Sequence, residues 1–260
     1  MKEKSILIFA LLLVFTTYSY SQHFDREGDF RWEIAGNGIK IIKYIGQNTN
    51  VRIPPQIRGL PVTEIGNGAF GKLGLVSVSI PDNVIIIGEY AFSENQLTTV
   101  TLGSRVMTIG YAAFFDNRII DIRIPNSVLI IEGHAFNKNQ LSIVEIPNNV
   151  TTIGKGAFAN NRITTVKLGN RLSSISDHAF DNNFITNITI GNGIGTINGN
   201  AFAGAFRYIS RIVIGSNVNI RASKPTDVVW EGFRNAYNNT YSHRSGIYTL
   251  QNGIWHFQAN

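Results

Sequence analysis

Residues 85–114 read IIIGEYAFSENQLTTVTLGSRVMTIGYAAF and hold one phrase twice, Ile87-Gly88-x-x-Ala91-Phe92 and Ile109-Gly110-x-x-Ala113-Phe114. Followed outward, Ala-Phe recurs at Phe70, Phe92, Phe114, Phe136, Phe158, Phe180 and Phe202, each 22 residues after the last. A strict period of this length marks a solenoid, in which each unit buries its apolar face only by stacking on a neighbour.

Within one unit, Asn95-x-Leu97-x-x-Val100-x-Leu102 places apolar residues two apart, which predicts a short strand with Leu97, Val100 and Leu102 inward. Gly103, or Pro81, Pro125 and Pro147 in other units, follows the strand and marks a turn, because proline cannot continue the ladder. Val106-x-x-Ile109-Gly110-x-x-Ala113-Phe114 then returns with irregular, partly helical spacing. The expected fold is a repeat solenoid with one parallel sheet along a face and irregular or short helical return segments. At about 4.8 Å per coil, seven units span roughly 35 Å. The seven Phe side chains form a structural spine. Asn95, Asn117, Asn139, Asn161 and Asn183 form a second column, whose amides suit backbone groups of the adjacent coil. After Phe202 the segment AGAFRYISR is two residues longer than its equivalents and the Asn is lost, so the regular stack ends there.

Open stacks need caps. Phe30-x-Trp32-x-Ile34 and Ile39-x-Ile41 flank Asn37-Gly38, and Ile247–Leu250 and Ile254–Phe257 flank Asn252-Gly253, so a β-hairpin is expected at each end. Trp230, Phe233 and Tyr237 lie at helical spacing before the second hairpin; with Tyr241, Tyr248 and Trp255 they make either a hydrophobic cap or a platform on which sugar rings stack.

The first 21 residues, with Lys2 and Lys4 ahead of an apolar run from Ile6 to Phe15 and Ser19 and Ser21 at cleavage-site spacing, read as a signal peptide. The expected organisation is therefore 1–21 leader, 22–50 hairpin cap, 51–220 seven-unit solenoid and 221–260 aromatic-rich cap. No other stretch reads as a membrane span. The chain has no cysteine, which excludes disulfides, thiolate metal sites and lipid attachment through cysteine. Its formal charge of +6 is scattered rather than clustered, so no nucleic-acid footprint is read. His134 and His178 share a repeat position two coils apart, too far for one metal ion, at a place where other coils carry Tyr90, Ala112 or Gly156 and any residue looks tolerated. No nucleophile elbow, HExxH or phosphate loop occurs, and no catalytic residue, cofactor or metal site is expected.

The run N-x-L-x-x-V-x-L-P-x-x-V-x-x-I-G-x-x-A-F resembles the BspA-like, Treponema pallidum type, leucine-rich repeats of bacterial surface and secreted proteins. The Asn before the strand is the feature that matches this subclass, and Glu132, Ser176 and Asn198 depart from it by replacing Gly. The resemblance implies an exported protein, secreted, periplasmic or at the cell surface, that adheres to host matrix or neighbouring-cell proteins. It brings no catalytic residues.

Outward sheet positions include Thr99, Thr101, Asp121, Arg123, Glu145, Thr165, Lys167, Asn187 and Thr189, a mixed polar face suited to a protein ligand. Arg123, Glu145 and Lys167 are expected to alternate in sign along one ladder. A monomer binding protein through this face is the leading expectation. Glycan binding through the C-terminal aromatics is the alternative, and a polysaccharide lyase of the parallel β-helix kind using Asp121, Arg123 and Lys167 is the third.

Overall fold

The computed structural model describes residues 24–198, 200–205, 208–216, 218–220, 228–240 and 242–259. The expected leader, and Tyr241 of the tail, lie outside them. The described chain winds into a solenoid whose ladders are mostly parallel.

The expected sheet forms the front, with strands such as Ser77–Ser79, Thr99–Thr101, Ile143–Glu145 and Thr165–Lys167 alternating exposed and buried side chains. The return segment is more regular than its spacing suggests. Each return contributes a two-residue strand, Ile86–Ile87, Thr108–Ile109, Ile130–Ile131, Thr152–Ile153 and onward to Asn219–Ile220, and these pair in register as a second, rear ladder. Two residues, most of them β-branched, suffice there because the neighbouring coils supply the pairing.

Between the ladders lies the spine. The seven Phe side chains are fully buried and stack face to face, with centroids 4.8 to 5.4 Å apart and planes within 21°. Tyr44 extends the column at its start, 5.4 Å from Phe70, and its spacing of 26 residues concealed it from the 22-residue period. Burial, reinforced by Asp25, pushes the Tyr44 phenol up to about 12.

The Asn column joins coils. In all five, Oδ1 accepts the N–H of the residue 20 positions earlier at 3.0 Å. Nδ2 donates to the carbonyl of the Phe 25 positions earlier at 2.8 to 3.0 Å, and also to the Phe of its own coil. One amide thus ties two turns together and satisfies donors and acceptors that the bend removes from any ladder.

The Gly before each Ala-Phe step is dictated by close approach. A Cβ on Gly110 would stand 2.8 Å from the backbone of Gly88, and one on Gly154 would stand 2.3 Å from the Gly133 nitrogen. Glu132, which breaks this column, turns its carboxylate to accept the Tyr111 N–H at 2.8 Å.

The position shared by Tyr90, Ala112, His134 and His178 is not indifferent to residue type. All four adopt positive φ, 51° to 57°, and a second such column runs through Lys72, Glu94, Asp116, Lys138, Asn160 and Asn182. The coils from Gly68 to Asn182 each turn the corner with two left-handed residues, a conformation that disfavours side chains, β-branched ones most. Changing exposed Asp116 to Gly is therefore expected to stabilise the fold by about 0.5–1 kcal/mol, and changing it to Val to destabilise it by about 1–2 kcal/mol, read from urea midpoints.

Both expected hairpins are present, on opposite faces. Phe30–Ala35 and Gly38–Tyr44 extend the rear ladder, and Gly246–Gln251 with Ile254–Ala259 extend the front one through Arg211–Ile214. The first turn is shifted by one residue from Asn37-Gly38. Gly36 takes the positive φ, 57°, while Gly38 begins the next strand, where a Cβ would clash with Thr63. The second turn is centred on Asn252 and Gly253, φ 50° and 79°, as Asn-Gly requires. Helix Val228–Asn235 continues through a wider turn to Thr240.

Candidate functional site

The front ladder carries the outward residues singled out from the sequence. Thr99, Thr101, Asp121, Arg123, Glu145, Lys167 and Thr189 are exposed, and Thr165 and Asn187 are half-buried. Glu145 and Lys167 are register partners and form an ion pair at 2.5 Å. Arg123 does not join them. Among the described residues it has no ion pair or side-chain hydrogen bond, and its coil contributes no strand to the front ladder.

That departure interrupts an otherwise regular pattern. In the front ladder the N–H of Thr98, Thr164 and Thr186 donates to the preceding coil, and the N–H of Ile80, Ile146 and Leu168 to the following one, all at 2.8 to 2.9 Å. The equivalent groups of Ile120 and Ser142, and of Leu102 and Ile124, make no such bond. The front sheet consequently divides into a three-stranded part ending at Thr99–Thr101 and a six-stranded part beginning at Ile143–Glu145. Ile119-Ile120-Asp121-Ile122-Arg123-Ile124 lies between them unpaired, although its alternating β-branched sequence is as strand-like as any in the chain. The coil stays anchored elsewhere: Arg118 N–H bonds to Leu97 O, Gln140 N–H bonds to Ile119 O, and Asn117 and Asn139 keep their clamps.

Solvent reaches the interruption. Val100 and Ile122 are 8% and 7% exposed, whereas their column partners Val78, Val144, Val166 and Ile188 are at 2% or less. Two open grooves flank the segment. One, of about 670 Å³, is lined by Thr101 and Arg123; the other, of about 690 Å³, is lined by Asp121, Arg123, Glu145 and Lys167. Arg123 lines both.

The 22-residue units, the Asn clamps and the paired ladders are matched by a known repeat type. The description "BspA type leucine rich repeat region" fits residues 63–186 and 109–224, in six copies. The chain belongs to the BspA-type leucine-rich repeat family. Among solved structures it is similar to a leucine-rich repeat protein of Treponema pallidum, at 25% identity and a TM-score of 0.56, over 76% of this chain and 86% of that one. It is also similar to a leucine-rich repeat protein of Bacteroides ovatus, at 20% identity and a TM-score of 0.56, over 76% of this chain and 54% of that one; it spans about half of that protein. No curated protein matches the chain.

Three other features of this BspA-type chain bear on binding. At one corner Tyr90, Tyr111 and His134 meet edge to face, with centroids 5.4 and 5.6 Å apart and Tyr90 46% exposed. Burial, then Lys155, holds the His134 imidazole below its ordinary value, and its Nδ1 lies 2.8 Å from Asn137 Nδ2. On the rear side Ile86 and Ile130, in rear strands, and Met107, just before the strand of the coil between them, are exposed apolar side chains that a reading focused on the front strands missed.

The third feature is the tail, where of the two alternatives, cap and platform, the rings form the cap. Phe233, Tyr237 and Tyr248 are fully buried, Trp255 is nearly so, and the four pack against one another edge to face or stacked. Tyr237 Oη donates to Gly215 O at 2.8 Å and accepts the Val218 N–H, fastening the tail to the last coil. Burial raises this phenol above its ordinary value. These four rings are a cap and offer no face to a sugar. Among the described residues no group of His, Asp and Glu could hold a metal ion, and no helix is long and apolar enough to cross a membrane.

Proposed function

We propose that this BspA-type chain is an exported bacterial interaction protein whose front face binds a protein partner, in adhesion to host matrix or neighbouring-cell proteins. The observation that carries this is the combination of a core fixed by repeating Phe and Asn columns with outward residues that change from coil to coil. Such a surface can be altered for a ligand without disturbing the fold. Asp121, Arg123 and Lys167 share a groove, as a lyase would need, but Lys167 is neutralised by Glu145 and the groove is open to water, which suits binding rather than proton transfer.

The test is binding of the chain to immobilised extracellular matrix proteins beside a variant with Arg123, Glu145 and Lys167 all changed to Ser. Saturable binding that falls about tenfold or more in the folded variant is expected. Equal binding by the variant would remove the front face from the account. The exposed pair Tyr90 and Tyr111 favours a second reading, glycan stacking at the corner. It requires binding to cell-wall glycans that is lost on Tyr90→Ala with Tyr111→Ala and is indifferent to the front-face variant.

A further inference from the structure

Ile119–Ile124 is a segment whose local sequence favours a strand and whose position in the fold denies it one. Mismatches of this kind between local preference and global arrangement concentrate at functional sites. The segment leaves the amides of Leu102, Ile120, Ile124 and Ser142 without the inter-coil bonds their equivalents make, and Leu102 and Ile124 line grooves open to solvent. Amides left without a ladder partner beside a groove can donate to the carbonyls of a chain lying along it.

Building on the front face as a protein-binding surface, we propose that the interruption is the docking site for an extended peptide segment bearing a carboxylate. Arg123 receives the carboxylate, and the amides of Leu102 and Ile124 donate to carbonyls of the segment as it lies along the grooves. Arg123 is the group suited to this. It lines both grooves, its charge is unpaired, and guanidinium binds carboxylate in a two-pronged geometry. Asp121, two residues away on the same edge, makes the site dipolar. A polyanion such as a uronate polymer or nucleic acid would meet Asp121 and Glu145 as well as Arg123, whereas a peptide can place one acidic residue at Arg123 and a neutral or basic one beside Asp121.

The test pans random linear nonapeptides displayed on phage against the immobilised full chain. Recovered peptides, synthesised with blocked ends, are titrated against the unaltered protein, Arg123→Gln and the rear-face variant Met107→Asp. Binders are expected to share an Asp or Glu, to weaken about 10- to 100-fold with Arg123→Gln and to be unaffected by Met107→Asp. Binding should also slow hydrogen exchange at Leu102 and Ile124. Peptides that bind equally well to Arg123→Gln would overturn the inference while leaving the protein-binding reading in place. Recovery of no peptide would overturn the inference too. Oligogalacturonate binding that depends on Arg123, with no peptide recovered, would overturn both in favour of a glycan.

Discussion

Changing Asn139 to Leu, a residue of similar size, is expected to lower stability by about 3–5 kcal/mol. The cost comes from what Asn139 leaves behind. Its Oδ1 accepts from Ile119 N–H, and its Nδ2 donates to Phe114 O and Phe136 O, all inside the corner between two coils. Without the amide these groups stay buried and unpaired, each costing about 1–3 kcal/mol less whatever relaxation and water recover. Urea unfolding followed by circular dichroism checks the value. Asn139→Asp separates hydrogen bonding from shape, because the introduced carboxylate keeps an acceptor for Ile119 but turns negative charge toward two carbonyl oxygens. Its carboxyl group should titrate above its unfolded value, so the variant is most nearly native at acid pH and loses stability as pH rises through the raised value. A Leu variant that unfolds within about 1 kcal/mol of the parent would show the amide clamps to be dispensable.

Phe136→Ala carries a penalty of about 3–5 kcal/mol by a different route. The ring is fully buried and stacks on Phe114 and Phe158 at 5.3 Å on both sides, so its removal opens a cavity that neighbours fixed by their own ladders cannot close. In a solenoid each coil touches only the next, and weakening a central one uncouples the two halves. The expected signature is a lowered midpoint together with broadening into two transitions. A single sharp transition at the parental midpoint would contradict the spine's role.

The period was legible because each unit repeats its own local chemistry: the Phe and Asn columns, the proline after the strand, the second Asn-Gly turn and the tail helix all have signatures a few residues long. The rear ladder was less visible, since two residues such as Thr108 and Ile109 carry no alternation and become a strand only when neighbouring coils bracket them. Tyr44 and the buried tail aromatics belong to contacts outside the repeat. The left-handed corners leave no mark because Ala112, His134 and Lys138 replace the Gly that would have announced them. The interruption at Arg123 was concealed for the opposite reason. Its sequence advertises a strand, and whether a strand pairs depends on how adjacent coils tilt, which no single unit encodes.

That interruption is where fold and proposed binding meet, and amide hydrogen exchange on the free protein tests it most directly. If the front sheet is divided as described, Leu102, Ile120, Ile124 and Ser142 exchange about 100-fold or more faster than Ile80, Thr98, Ile146, Thr164 and Leu168, their counterparts in intact coils. Uniform protection along the whole ladder would contradict the account, closing both grooves and returning Arg123 to an ordinary surface position.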